Sequence, residues 1–319
     1  YAAAADKYAV AVKLDDSDPL DMVRYGHCYF ALGEKDKAKA AYIAALARHP
    51  TNDTAIRSGL YYLANRNWRE AGPLMAEAAE GAPKSAPVWY YLGYTQFLDQ
   101  NWDAAADSFG KAIALAPKDS NYVYFLGYAL ENQGDARGAL DQYRKALQIN
   151  ANHGDAAGRF GLLIRNQGDF DAVEKGYEEL ARLAPEQGLI INDYGLILRN
   201  FAEQRGAAKA ARLPADVLRR LKRSGEMYEL AAKLAPDDPQ VQSDTGLLFE
   251  FYPAIRDDEK ARRYFTRSLE LSEYTYRDAF DGLNRLCQRT GDWETLLDYA
   301  EGVIGSLERG ASAVAPVGA

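Results

Sequence analysis

The sequence is poor in the side chains from which reactive centres are built. Its 319 residues include only three histidines and two cysteines. Cys28 and Cys287 lie in opposite terminal regions, so no disulfide framework is expected. His27, His49 and His153 stand at no metal-ligand spacing with another His, Cys or Asp. His27 beside Cys28 reads as two residues facing opposite sides of one helix. No glycine loop leads into a helix with a Lys-Ser or Lys-Thr end, which removes a phosphate cradle, and no serine elbow occurs. The carboxylate pairs Asp15–Asp16, Asp237–Asp238 and Asp257–Asp258 fall between helices, where they read as N-caps rather than acid–base pairs. No catalytic residue, metal or cofactor is expected.

Basic excess is missing too. A net charge of −8 and a pI near 5.1 argue against a sequence-independent grip on nucleic acid, which needs cations to displace counterions. No apolar run reaches the roughly 18 residues that a membrane span requires. A soluble protein is expected; the sequence does not name its compartment, with the cytoplasm favoured over the periplasm. The chain opens on Tyr1 with neither a methionine nor a charged-then-apolar leader, so a processed product or a fragment is expected.

What is abundant is one repeated pattern, clearest in Pro87–Pro117, PVWYYLGYTQFLDQNWDAAADSFGKAIALAP. Trp89, Leu92, Gly93 and Gln96 share one face of a first helix, Asn101 and Asp103 make a turn, and Ala105, Phe109 and Ala112 form the inner stripe of a second. Pro117 stops it. Glycines recur at Gly26, Gly59, Gly93, Gly127, Gly161 and Gly195, spaced by 33 residues once and 34 thereafter. Alanines follow at Ala38, Ala71, Ala105 and Ala139, then Tyr42, Met75, Phe109 and Tyr143, then Ala45, Ala78, Ala112 and Ala146. Pro50, Pro83, Pro117 and Pro185 close units, with Ala151 in the place of one. Gly93 and Ala105 are small where two antiparallel helices approach, Trp89, Leu92 and Phe109 fill the space around them, and an apolar flank is left for the next copy.

This pattern, with its 34-residue period, resembles the tetratricopeptide repeat over nearly the whole chain. The resemblance implies an all-α, right-handed α-α superhelix of about seven to eight hairpins with an N-terminal half repeat. We expect a single solenoid over 1–309: half repeat 1–18, then repeats at about 19–51, 52–84, 85–118, 119–152, 153–186, 187–238, 239–274 and 275–309, and a tail at 310–319. In the fifth repeat Val173 and Leu180 replace alanines, which should set its helices further apart. In the sixth, Gly195 and Pro236 are 41 residues apart where regular units have 24, so 17 have been inserted, at about 201–218. The inserted stretch is expected to lengthen the helix pair and project it beyond its neighbours. Arg219, Arg220 and Arg223 make it a basic arm, suited to an acidic protein surface or to the acidic remainder of this chain.

By the same resemblance, first helices line the concave side. The ring-rich positions there are Tyr90, Tyr94, Phe97, Tyr124 and Tyr128, read as the centre of a ligand groove; the competing reading packs them against each other. Further along, Arg165, Asn166, Asn192, Arg199 and Asn200 add polar groups to the face. Asn132, Asn166 and Asn200 recur every 34 residues, as a ladder for a peptide backbone or as helix ends before a turn glycine. The lysine and asparagine by which some members hold a C-terminal carboxylate are absent from the first unit. The expected function is a non-catalytic scaffold that binds a peptide or helix of another protein in the groove. The alternatives are a self-assembling structural protein, with a homo-oligomer as its product, or the docking arm of a larger enzyme.

Overall fold

The computed structural model describes residues 1–14, 19–48 and 68–313. The expectations placed on Asp15–Asp16, His49, Pro50, Gly59 and the rest of the second repeat's first helix lie outside the described residues, as does the tail from 314. Among the described residues there are 16 helices and no strand. They fall into two compact units, Tyr1–Ala156 and Ala157–Ala319.

The first unit holds α1 (Ala2–Leu14), α2 (Pro19–Ala31), α3 (Lys35–Arg48), α4 (Trp68–Gly81), α5 (Ala86–Leu98), α6 (Trp102–Leu115), α7 (Ser120–Asn132) and α8 (Ala136–Ile149). Here α2 packs on α3, α5 on α6 and α7 on α8, as antiparallel hairpins. Each hairpin closes over a glycine. A Cβ on Gly93 would sit 2.8 Å from the Phe109 ring, and one on Gly127 would sit 2.8 Å from the Tyr143 ring. Ala38, Ala105 and Ala139 are fully buried opposite, so in these hairpins the second helix lies flush on the first. Tyr42, Phe109 and Tyr143 are wholly buried. Each contributes about 1.5–3 kcal/mol relative to exposure.

Helix starts follow local chemistry. Asp135 accepts the Gly138 backbone N–H at 2.9 Å and Asp119 accepts that of Asn121 at 2.9 Å. Asn101 accepts the Ala104 N–H at 3.4 Å. Gly134 ends the turn after α7 at φ +88, a backbone state that other residues adopt at a cost.

At the first unit's last turn His153 takes the N-cap role. Its Nδ1 accepts the Ala156 N–H at 3.3 Å, and its ring lies 4.9 Å from that of Tyr124. Burial holds the imidazole below its ordinary pKa, with the carboxylates of Asp155 and Asp119 pulling the other way. Only the neutral ring can accept at Nδ1. The folded pKa is depressed, so this stabilisation is full above the ordinary value of about 6.5 and is lost as pH falls through the folded value. We expect the unfolding free energy of the native chain, read from urea titrations, to drop between about pH 7 and pH 5 by the worth of an N-cap, about 1 kcal/mol. His153→Asn keeps an acceptor without the titration, so its unfolding free energy should drop less over the same range.

The second unit takes in α9 (Gly154–Arg165, whose first turn lies in the first unit), α10 (Phe170–Leu183), α11 (Gly188–Gln204), α12 (Ala215–Leu234), α13 (Pro239–Phe251), α14 (Asp258–Leu271), α15 (Arg277–Thr290) and α16 (Trp293–Ala313). The α9–α10 seat is looser than those before it. A Cβ on Gly161 would meet the Tyr177 hydroxyl at 3.3 Å and Leu180 at 3.4 Å. Val173 and Leu180, both buried, occupy the space that alanines leave free elsewhere.

The sixth pair has 17 residues in α11 and 20 in α12. Its added turns are exposed over much of their surface but also pack on their own chain. Ala207, Val217 and Leu221 are buried in the same cluster as Phe201, Leu248 and Phe249, because the added turns carry their own apolar stripe. Pro253 follows the end of α13 closely, as its missing N–H requires. Asp238 caps α13 through the N–H groups of Gln240 and Val241, and Asp257 caps α14 through that of Lys260. Those acidic pairs are structural. Helical structure runs on through Ala313, past the Gly310 at which an irregular tail was expected.

Candidate interaction faces

The aromatic residues singled out by sequence all belong to the first unit. Tyr90, Tyr94 and Phe97 stand on α5, Tyr124 and Tyr128 on α7. Their rings form one continuous lattice. Phe97 lies 4.7 Å from Tyr128, Tyr90 stacks on Tyr122 at 4.9 Å, and Tyr94 meets Phe125 edge-on at 5.4 Å. Tyr124 approaches Tyr128 at 6.1 Å and Tyr143 at 5.8 Å. Such edge and offset contacts suit the ring quadrupoles. Phe97 and Tyr124 are buried by them, at 9% and 8% exposure, whereas Tyr90, Tyr94 and Tyr128 are partly buried. Burial also drives the Tyr90 hydroxyl far above the ordinary phenol range, with Tyr91, Tyr94 and Tyr122 adding to it. Tyr122 and Phe125 were missed from sequence. They stand at the third and sixth places of the repeat, which the period alone does not mark as facing α5.

The asparagine row divides. Asn132, the last residue of α7, donates its side-chain amide to the Tyr128 carbonyl at 2.7 Å, which closes its own helix. Asn166 and Asn200 are exposed.

The polar members fall in the second unit. Arg165 donates to Asp193 at 3.0 Å and to the Tyr177 hydroxyl at 3.3 Å. Asn192, 6% exposed, donates to Asp244 at 3.3 Å and so ties α11 to α13. Burial raises both carboxyls, that of Asp193 against the pull of Arg165 and that of Asp244 against Asn192 and Arg199. Arg199 lies over the Tyr228 ring, 5.8 Å from its centroid. Three buried polar atoms here have no protein partner: Asn192 Oδ1, Arg199 Nε and the Tyr228 hydroxyl. They offer one acceptor, one donor and one group that can do either. Asp193, Asp244 and Tyr228 were not foreseen as neighbours. Asp244 is 52 residues from Asn192, beyond any repeat spacing.

The arginines of the arm part company. Arg219 is exposed and Arg223 pairs with Glu226 at 2.6 Å. Arg220 is drawn inward, over Phe201 at 4.3 Å and Phe170 at 5.1 Å, with Glu174 at 2.7 Å and Asp171 at 2.8 Å. Of the two partners weighed for this arm, Arg220 takes the acidic remainder of its own chain. Among the described residues, no three His, Cys, Asp or Glu side chains converge as a metal site, and no helix is long and apolar enough to cross a membrane.

Comparison with known proteins bears on the repeat. Residues 56–120 and 99–154 match a family model described as tetratricopeptide repeat, and residues 22–52 match a second of the same description. No curated protein matches. Among solved structures, the C-terminal part of a TPR repeat-containing protein from Cytophaga hutchinsonii shares the fold with a TM-score of 0.53. It is 15% identical, over 82% of this chain and 99% of that one. MamA is 25% identical over 50% of this chain and 93% of its own, with a TM-score of 0.42. YrrB, described as a TPR protein with an unusual peptide-binding site, is 19% identical over 63% and 95%, with a TM-score of 0.41. The hairpins described within residues 22–154, matched by the repeat models and closed over glycine and ring, are tetratricopeptide repeats.

Proposed function

We propose that the chain is a non-catalytic scaffold whose first-helix faces receive a peptide or helix of a partner protein. The observation that carries this reading is the partial exposure that Tyr90, Tyr94 and Tyr128 keep in a lattice of mutually packed rings. Neighbouring rings already fix these side chains, so a ligand that covers them orders little. Rigid tyrosines are also the side chains on which contact energy concentrates.

The test is selection of displayed random peptides on the full chain. Selected peptides should lose at least about tenfold in affinity to Tyr94→Ala/Tyr128→Ala, the worth of one lost anchor, with helicity unchanged. Undiminished binding of every selected peptide would defeat the groove.

A further inference from the structure

The outward side of α16 is apolar where it meets solvent. Trp293, Leu297 and Ile304 are 61%, 60% and 56% exposed. Their offsets of four and eleven residues place all three within one narrow stripe of a helix. The opposite side is anchored. Tyr299 donates to the Thr266 hydroxyl at 2.7 Å, and Gly302 lies against the Tyr274 ring. Single exposed apolar side chains are ordinary; three on one stripe form a contact surface.

Charge selects what covers it. Glu294, Asp298 and Glu301 are exposed and run along one flank of the stripe, within about 100° of Leu297 around the helix axis. Among the described residues none of the three is paired with a cation. We propose that this face docks a basic amphipathic helix of another protein. Its apolar stripe covers Trp293, Leu297 and Ile304, and its lysines or arginines meet the carboxylate flank. A second copy is a poorer occupant. Two such helices laid antiparallel set carboxylate against carboxylate, and laid parallel they leave both flanks unneutralised. An anionic lipid surface is repelled by the same charges.

The probe is a short Leu–Lys peptide with leucines at helical spacing, set against its Leu–Glu counterpart, titrated into the full chain by fluorescence anisotropy. The Leu–Lys peptide should bind at least about tenfold more tightly than the Leu–Glu peptide at about 50 mM salt, and lose that margin at about 500 mM. Leu297→Glu/Ile304→Glu should weaken Leu–Lys binding at least about tenfold. Glu294→Lys/Glu301→Lys should turn the preference towards Leu–Glu. All four positions are exposed, so circular dichroism should be unchanged. Tyr94→Ala/Tyr128→Ala should leave this binding intact, which separates it from the aromatic face. Leu–Lys binding that neither α16 variant alters, or no binding of either peptide, overturns the proposal. So does a wild-type dimer in sedimentation that Leu297→Glu/Ile304→Glu dissolves, because the occupant is then a second copy.

Discussion

Phe265→Ala is expected to destabilise the second unit by about 3–5 kcal/mol, as urea unfolding of the full chain would register. The ring is fully buried and serves two hairpins at once. On one side a Cβ at Gly246 would come within 2.7 Å of it; on the other a Cβ at Gly282 would come closer still. Three helices, α13, α14 and α15, therefore share one side chain, and its removal leaves a cavity that none can fill without moving the others. Approached from the other side, Gly282→Ala should cost about 1–3 kcal/mol, since the added methyl has no room beside the ring. The two changes touch the same space. The double variant should be less destabilised than the singles predict together, by about 1 kcal/mol or more. Strict additivity would show that the ring is not the shared element. Hydrogen exchange should place the loss in α13–α15 before the first unit, because stability in such arrays is passed between neighbours.

Arg220→Ala should follow, at about 2–3 kcal/mol, below the figure for a fully buried ion pair because Asp171 remains open to water. The Arg220 side chain is 13% exposed and that of Glu174 16%, so the variant strands a carboxylate in a largely dry setting. It also removes the cation from the faces of Phe170 and Phe201, whose rings stack 4.0 Å apart. Arg220→Lys keeps the charge and loses the planar fork, and about half of the loss should remain. Arg219→Ala, at an exposed position, should change stability by no more than about 0.5 kcal/mol. Equal effects at 219 and 220 would mean that the arm is held by its charge alone.

The glycine-and-ring seats were open to reading because the repeat states them many times. Gly93 with Phe109 and Gly127 with Tyr143 stand sixteen residues apart, and the structure joins each pair. The seat survives even where the spacing breaks. A Cβ on Gly195 would meet Tyr228 at 3.1 Å across the insertion, and one on Gly246 would meet Phe265 although the pair departs from the sixteen-residue spacing. Hidden from the sequence were contacts that no period governs. Asn192 with Asp244 and Arg220 with Glu174 join residues from different helices at separations found once each. The inserted arm was visible as a change in length and charge, but the apolar stripe of Ala207, Val217 and Leu221 that folds it inward is short and interrupted by basic residues. The aromatic face was legible as a set of positions. That Phe97 and Tyr124 turn into the lattice while Tyr94 and Tyr128 keep part of their surface depends on ring rotations that spacing does not encode.

The placement of Phe265 bears on where the gene could be cut. A version ending after Leu271 would retain Gly246 and lose Gly282, baring one flat side of a ring built to be hidden from both. Ending after Thr290 keeps both walls. Modules for grafting onto other scaffolds are therefore bounded by ring-to-glycine closure, one helix beyond the hairpin that donates the ring.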